Sequence, residues 1–175
     1  GAPLPGVPGP TPPNNHDDLL VALARDSIIA HSSIMFRRQD VMKIGGYPGE
    51  YAYCMDYLLY FRLARHHRLG CLPEPLVAIR SHPSQITSLP AWGLRRETEA
   101  AAAFQEILTY PDMPAAVRRG LLRYRALTSL RLAALYARAH APMQACAWII
   151  RAFVQAPCTF SRLVWTIAAK RAGQS

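Results

Sequence analysis

No stretch of this sequence supplies the roughly 20 consecutive apolar residues that a membrane-crossing helix needs. In the C-terminal third the longest run without Asp, Glu, Lys or Arg is Ala139–Ile150, and His140 and Pro142 interrupt it. A helix lying on a membrane surface is still allowed. Cys-x-x-Cys pairs are absent: Cys54, Cys71, Cys146 and Cys158 are spaced by 17, 75 and 12 positions. That spacing supports neither a zinc ribbon nor a thioredoxin-type site, and free thiols in a reducing compartment are expected. No glycine-rich phosphate loop occurs. A basic-then-apolar leader is missing too, because residues 1–13 are rich in Pro and Gly and carry six prolines. Proline fixes φ and removes a donor, so residues 1–16 are expected to be an extended or disordered lead-in. The chain opens at Gly1 rather than Met, and the expectation is a piece of a longer or split protein.

Acidic residues are scarce. Eleven Asp and Glu face twenty Lys and Arg, for a net charge of +9. The surplus is uneven: residues 1–88 hold eight basic and seven acidic residues, net +1, and residues 89–175 hold twelve and four, net +8. Such a surplus favours an anionic partner. With 51% hydrophobic residues over 175 positions, neither global disorder nor a disulfide-stapled scaffold is expected.

Asn14–Asp18 supply helix-capping types ahead of an apolar helix at Leu19–Ala24. Ser27–Phe36 is rich in β-formers and reads as a buried strand, and Leu76–Ile79 as a short one. Between them, Arg37–Ile44 reads as a short helix stopped by Gly45-Gly46, and Met55–His67 as a helix with Leu58, Leu59, Phe61, Leu63 and Ala64 inward and Arg62, Arg65 and Arg68 in water. From Ala91 the pattern is helical. Helices are expected over Leu94–Thr109, over Ala115–His140 with a weak point at Gly120, from Pro142 to Gln155, and over Thr159–Arg171. The arginines of Ala115–His140 fall on several faces and define no clean basic stripe.

Four pieces stand in order between Ile29 and Thr87. They are Ser32-Ser33-Ile34-Met35-Phe36-Arg37-Arg38, Lys43-Ile44-Gly45-Gly46-Tyr47, Met55-Asp56-Tyr57-Leu58-Leu59, and Leu72-Pro73-Glu74-Pro75-Leu76 running to Arg80-Ser81-His82. In that order and spacing they resemble the C-terminal half of the catalytic domain of family 2 glycosyltransferases, over about Leu19–Thr87. The resemblance implies an α/β fold: a partial GT-A domain with few strands at residues 17–90, followed by an all-helical basic extension at 91–175. It also implies transfer of a sugar from a nucleotide-sugar to an acceptor hydroxyl, with inversion.

On the same resemblance Asp56 is the general base that takes the acceptor's proton. A helix N-terminus favours its charge. The alternative for Asp56 is a plain helix N-cap. Arg80 and His82 would bind the diphosphate of the substrate. His82 would also ligate the divalent metal, Mn or Mg, expected of the intact family. The alternative for His82 is a solvated loop. His31 is expected to be a satisfied core or cleft-edge histidine, His66-His67 helix-end polar residues, and Arg37-Arg38 solvated surface. Met55 stands where the family usually has Glu, and Leu58 where a second acid often sits. The Asp-x-Asp motif of the donor-binding half is absent, as is the Gln-x-x-Arg-Trp of processive synthases.

The expected protein is therefore a truncated or split transferase, inactive alone. It would be cytoplasmic and peripheral to the membrane if attached at all. The rival is a non-catalytic basic helical adaptor for an acidic partner or a membrane surface. Three readings of the tail stay open: a packed helical extension, a membrane-surface helix, and a nucleic-acid binder, the last ranked lowest for want of a groove-reading motif. An unpaired strand edge at Ser27–Phe36 would promote self-association, with Ile28, Ile34, Phe36, Trp148 and Trp165 near the contact.

Overall fold

The computed structural model describes residues 13–25, 28–72, 74, 76–78, 93–158 and 160–161. All regular structure in them is helical: α1 (His16–Leu23), a 3-10 turn (His31–Ser33), α2 (Arg38–Lys43), α3 (Met55–Ala64), α4 (Gly93–Leu108), α5 (Ala115–Arg138) and α6 (Pro142–Gln155).

The helix ends follow local chemistry. Asn15 caps α1, its side-chain oxygen accepting the Asp18 N–H at 2.9 Å. Gly45 and Gly46 stop α2 at φ +88° and +74°, and the Gly46 N–H returns to the Val41 carbonyl at 2.9 Å. Arg118, one turn into α5, donates to the carbonyls of Leu108 and Tyr110 at 3.1 and 3.3 Å. It thereby satisfies the orphan acceptors at the end of α4. His140 takes φ +55° after α5, and Ala141 N–H reaches back to Tyr136 O at 2.9 Å. This six-residue return is a Schellman stop, and Pro142 then opens α6.

One core joins α1, α3, α4 and α5, centred on Leu23, Leu58, Tyr60, Phe104, Ile107 and Leu121. It draws on residues from both sides of position 90. Tyr57 fastens α3 to α1 by donating to the Leu23 carbonyl at 3.0 Å. Gly120 explains itself here: a Cβ on it would lie 3.1 Å from both Cβ and O of Ala24. The bare backbone lets the end of α1 cross α5 closely. Arg62 does not face water as its spacing predicts. It reaches across to α4, donating from Nε and Nη2 to Glu106 Oε1 at 3.1 and 2.8 Å, and Tyr110 donates to the same oxygen at 3.1 Å.

The α/β expectation is corrected: no strand or bridge occurs among the described residues, so this is not a partial GT-A sheet. The chain from Ile28 to Arg37 is extended at Ala30 (φ −74°, ψ 123°), Ile34 (φ −91°, ψ 142°) and Arg37 (φ −77°, ψ 126°). The 3-10 turn interrupts it, and among the described residues no second extended segment pairs with it. Leu76–Ala78 are also outside regular structure, with Leu76 70% exposed. A strand exists only through its ladder partner, and unpaired backbone groups turn to water or to turns instead. Ile28 and Ile34, expected on an open strand edge, pack against the main core.

Candidate functional site

The site begins with the junction that carries Asp56. The loop before α3 is tied to α4 by Glu99. Its Oε2 accepts the N–H groups of Ala52 and Tyr53 at 2.8 and 2.7 Å, and Arg95 Nε donates to Oε1 at 2.9 Å. Burial pushes the Glu99 carboxyl up, but the Tyr53, Arg95 and Ala52 bonds outweigh it and hold the pKa below the ordinary carboxylate value. A depressed folded-state pKa means that the ionised form stabilises the fold above about pH 4.3. That contribution is lost as pH falls through the folded value. Glu99→Gln is expected to show a smaller loss of stability between pH 7 and pH 3 than the parent, measured by urea midpoints at each pH. Equal losses in the two proteins would deny Glu99 this role.

Asp56 is the second residue of α3, and its Oδ1 accepts the Tyr57 N–H at 2.7 Å. Cys54 occupies the cap position, without a side-chain bond, so Asp56 is a first-turn acid rather than the N-cap. Its carboxylate is partly exposed and opens on a cleft of 840 Å³ between α3, α4 and α5. Three rings line one part of this cleft. Phe104 meets Tyr57 edge-on at 5.4 Å and lies 4.8 Å from Tyr124. Arg96, Arg131 and Arg138 line it as well. Glu97, only 4% exposed, holds Arg96 at 3.1 Å and Arg131 at 3.8 Å. Arg138 has no ion pair among the described residues. The buried Thr128 hydroxyl faces the same cleft and has no hydrogen-bond partner among the described residues. The Cys54 thiol is also there. Burial, with Glu99, Asp56 and Glu97 nearby, pushes its pKa up to about 12. It stays protonated at neutral pH and is no nucleophile.

A second polar group adjoins Asp56. His31 Nδ1 lies 3.0 Å from the Tyr60 hydroxyl and Nε2 lies 3.1 Å from that of Tyr47. Each ring nitrogen can hydrogen-bond a hydroxyl, so the imidazole links the two tyrosines. Burial first, and the Asp56 charge second, raise the pKa of both tyrosines. Asp56 is thus close enough to these hydroxyls to act on them and shares its cleft with the three guanidinium groups. His31 has a hydroxyl partner at each ring nitrogen, as expected, but it is surface-exposed rather than a core residue.

Arg80 and His82 lie outside the described residues, as does Trp165. His67 sits at the end of α3 with Nε2 3.9 Å from Asp40 Oδ1, a surface helix-end contact. Among the described residues no three His, Cys, Asp or Glu side chains converge as a metal site. The donors present there do not fit the divalent metal that the resemblance implies.

Sequence reasoning missed the far wall. Tyr124, Thr128, Arg131, Leu135 and Arg138 all line the cleft, and their spacing of 4, 3, 4 and 3 is one helical stripe. A search for basic residues alone scatters across α5. The stripe emerges only when aromatic and hydroxyl positions are read with the arginines. Arg96 and Glu97 carried no such signal.

No protein-family model, curated protein or solved structure matches this chain.

Proposed function

We propose that this chain is the acceptor-side part of an inverting glycosyltransferase, with Asp56 as its general base. The observation that supports this reading is the position of Asp56. It is an ionisable carboxylate fixed at a helix start, at the mouth of a cleft that also presents Arg96, Arg131 and Arg138. In the reaction the acceptor oxygen attacks the anomeric carbon of a nucleotide-sugar. A bond forms from that oxygen to the carbon, and the bond from the carbon to the diphosphate oxygen breaks. The hydroxyl proton passes to the Asp56 carboxylate, and the electron pair leaves with the nucleoside diphosphate.

Guanidinium groups suit the growing negative charge of that leaving group. Arg138, free of an acid partner among the described residues, is the best placed of the three by charge. The aromatic wall suits the apolar face of a sugar ring. No Asp-x-Asp motif occurs in this sequence, so a separate donor-binding segment supplies the nucleotide site. Four unpaired thiols suit a reducing compartment, and we place the reaction in the cytoplasm.

The test is transfer of labelled sugar from UDP-, GDP- and dTDP-sugars to hydroxyl acceptors. The chain is assayed alone and together with a donor-binding polypeptide that carries the Asp-x-Asp half. Transfer is expected only with both present. Turnover by the chain alone, or none in any combination, contradicts the reading.

A further inference from the structure

Helix α6 is apolar on two opposite sides. Its inner side, through Ala145 and Ala152, is buried against α5. Its outer side carries Met143, Ile150, Phe153 and Val154, which are 82%, 63%, 50% and 72% exposed. Offsets of 7, 10 and 11 from Met143 put these four side chains on one stripe. The exposed Cys146 and Ala147 share it, and no charge interrupts it. A contiguous exposed apolar stripe calls for a partner; Phe160 meets it edge-on at Phe153, ring centres 5.6 Å apart, and the rest of the stripe stays exposed.

Charge says what covers it. After Asp112 the sequence has no Asp or Glu, and it has ten Lys and Arg. Arg151 flanks the apolar stripe, with its guanidinium 4.6 Å from the centre of the Trp148 ring. The half-buried Arg125 of α5 is close enough for Arg151 to disfavour its charge, after the larger effect of burial. Arg125 is thus a second cation near Arg151, with no acid among the groups acting on it. An apolar stripe flanked by an arginine that stacks on a tryptophan is the chemistry of a helix at a lipid–water boundary.

We propose that α6 seats this protein on an anionic membrane surface, with Met143, Ile150, Phe153 and Val154 among the acyl chains and Arg125 and Arg151 on lipid phosphates. A second copy of the chain is the poorer occupant. A two-fold contact here would bring the Arg125–Arg151 flanks of two acid-free surfaces together. Four side chains of one helix also fall well short of the roughly 20–30 residues per side of a stable interface. Nucleic acid would match the arginines but leave the apolar stripe in water. The proposal does not depend on sugar transfer.

The test is co-sedimentation of the full chain with vesicles of phosphatidylcholine alone and of phosphatidylcholine mixed equally with phosphatidylglycerol. Binding is expected to the anionic vesicles only, and to weaken with added salt. Ile150→Glu is expected to reduce it at least tenfold, since a charge replaces a side chain that would sit among acyl chains. The double variant Arg125→Gln/Arg151→Gln is expected to reduce it about 25-fold, at roughly fivefold per basic residue. The double variant leaves the apolar stripe intact, so the test stays readable if Ile150→Glu misfolds, which circular dichroism reports. Equal binding to neutral vesicles, or binding unchanged in both variants, overturns the proposal. So does a dimer in light scattering that Ile150→Glu dissociates while the parent ignores vesicles.

Discussion

Asp56→Asn is expected to lower kcat for sugar transfer about 100-fold or more, with KM for the acceptor changed far less. The substitution preserves shape and an oxygen that accepts the Tyr57 N–H, so the start of α3 is kept. What is lost is the capacity to take a proton. Loss of the first-turn charge costs the helix only about 0.3–1 kcal/mol. A fall of that size in rate therefore cannot be charged to unfolding, and a parallel urea titration separates the two. The assay pairs the chain with a donor-binding polypeptide. Activity equal to the parent would assign Asp56 to helix initiation alone and favour a non-catalytic adaptor.

Phe104→Ala is expected to remove about 3–5 kcal/mol of stability. Phe104 is 3% exposed, and its ring contacts Tyr57 at 5.4 Å and Tyr124 at 4.8 Å. It therefore knits α3, α4 and α5 together at the wall of the cleft. Truncation removes both ring pairings, worth about 0.5–1.5 kcal/mol each beyond area burial, and leaves a void that buried helices cannot readily close. A domain typically has only about 5–15 kcal/mol to lose, so the urea midpoint is expected to fall sharply or the folded baseline to vanish. A loss under about 1 kcal/mol would mean that the three helices do not share this core.

The helices were legible because their causes are local. Asn15 precedes α1, Gly45-Gly46 follows α2, Pro111–Pro114 separates α4 from α5, and Pro142 opens α6. Each acts within a few residues of its own position. Ser27–Phe36 shows the opposite case. Its β-rich composition is real and parts of it are extended, but strand formation depends on a partner that composition does not encode. The same limit applies to Arg62, whose partner Glu106 lies 44 residues away. Spacing alone sent that guanidinium to solvent.

The candidate site divides in the same way. Asp56 stood out because a short motif and a helix start coincide at one place. Arg96, Arg131 and Arg138 come from helices far along the chain, and only packing brings them to Asp56. Gly120 looked like a flaw in α5, because a glycine weakens a helix by about 1 kcal/mol. Its use is visible only once Ala24 is seen against it. In α6, exposure picks out one uncharged stripe that sequence periodicity could not assign to an inner or an outer side.

The most direct test of the account is the anomeric configuration of the transferred sugar, read by proton NMR on the product made by the chain with its donor-binding partner. Deprotonation of the acceptor by Asp56 and attack in line with the leaving diphosphate predict a configuration inverted from that of the donor. Retention of configuration would contradict the account, because it requires two displacements or front-face attack, and neither uses Asp56 as the base proposed here.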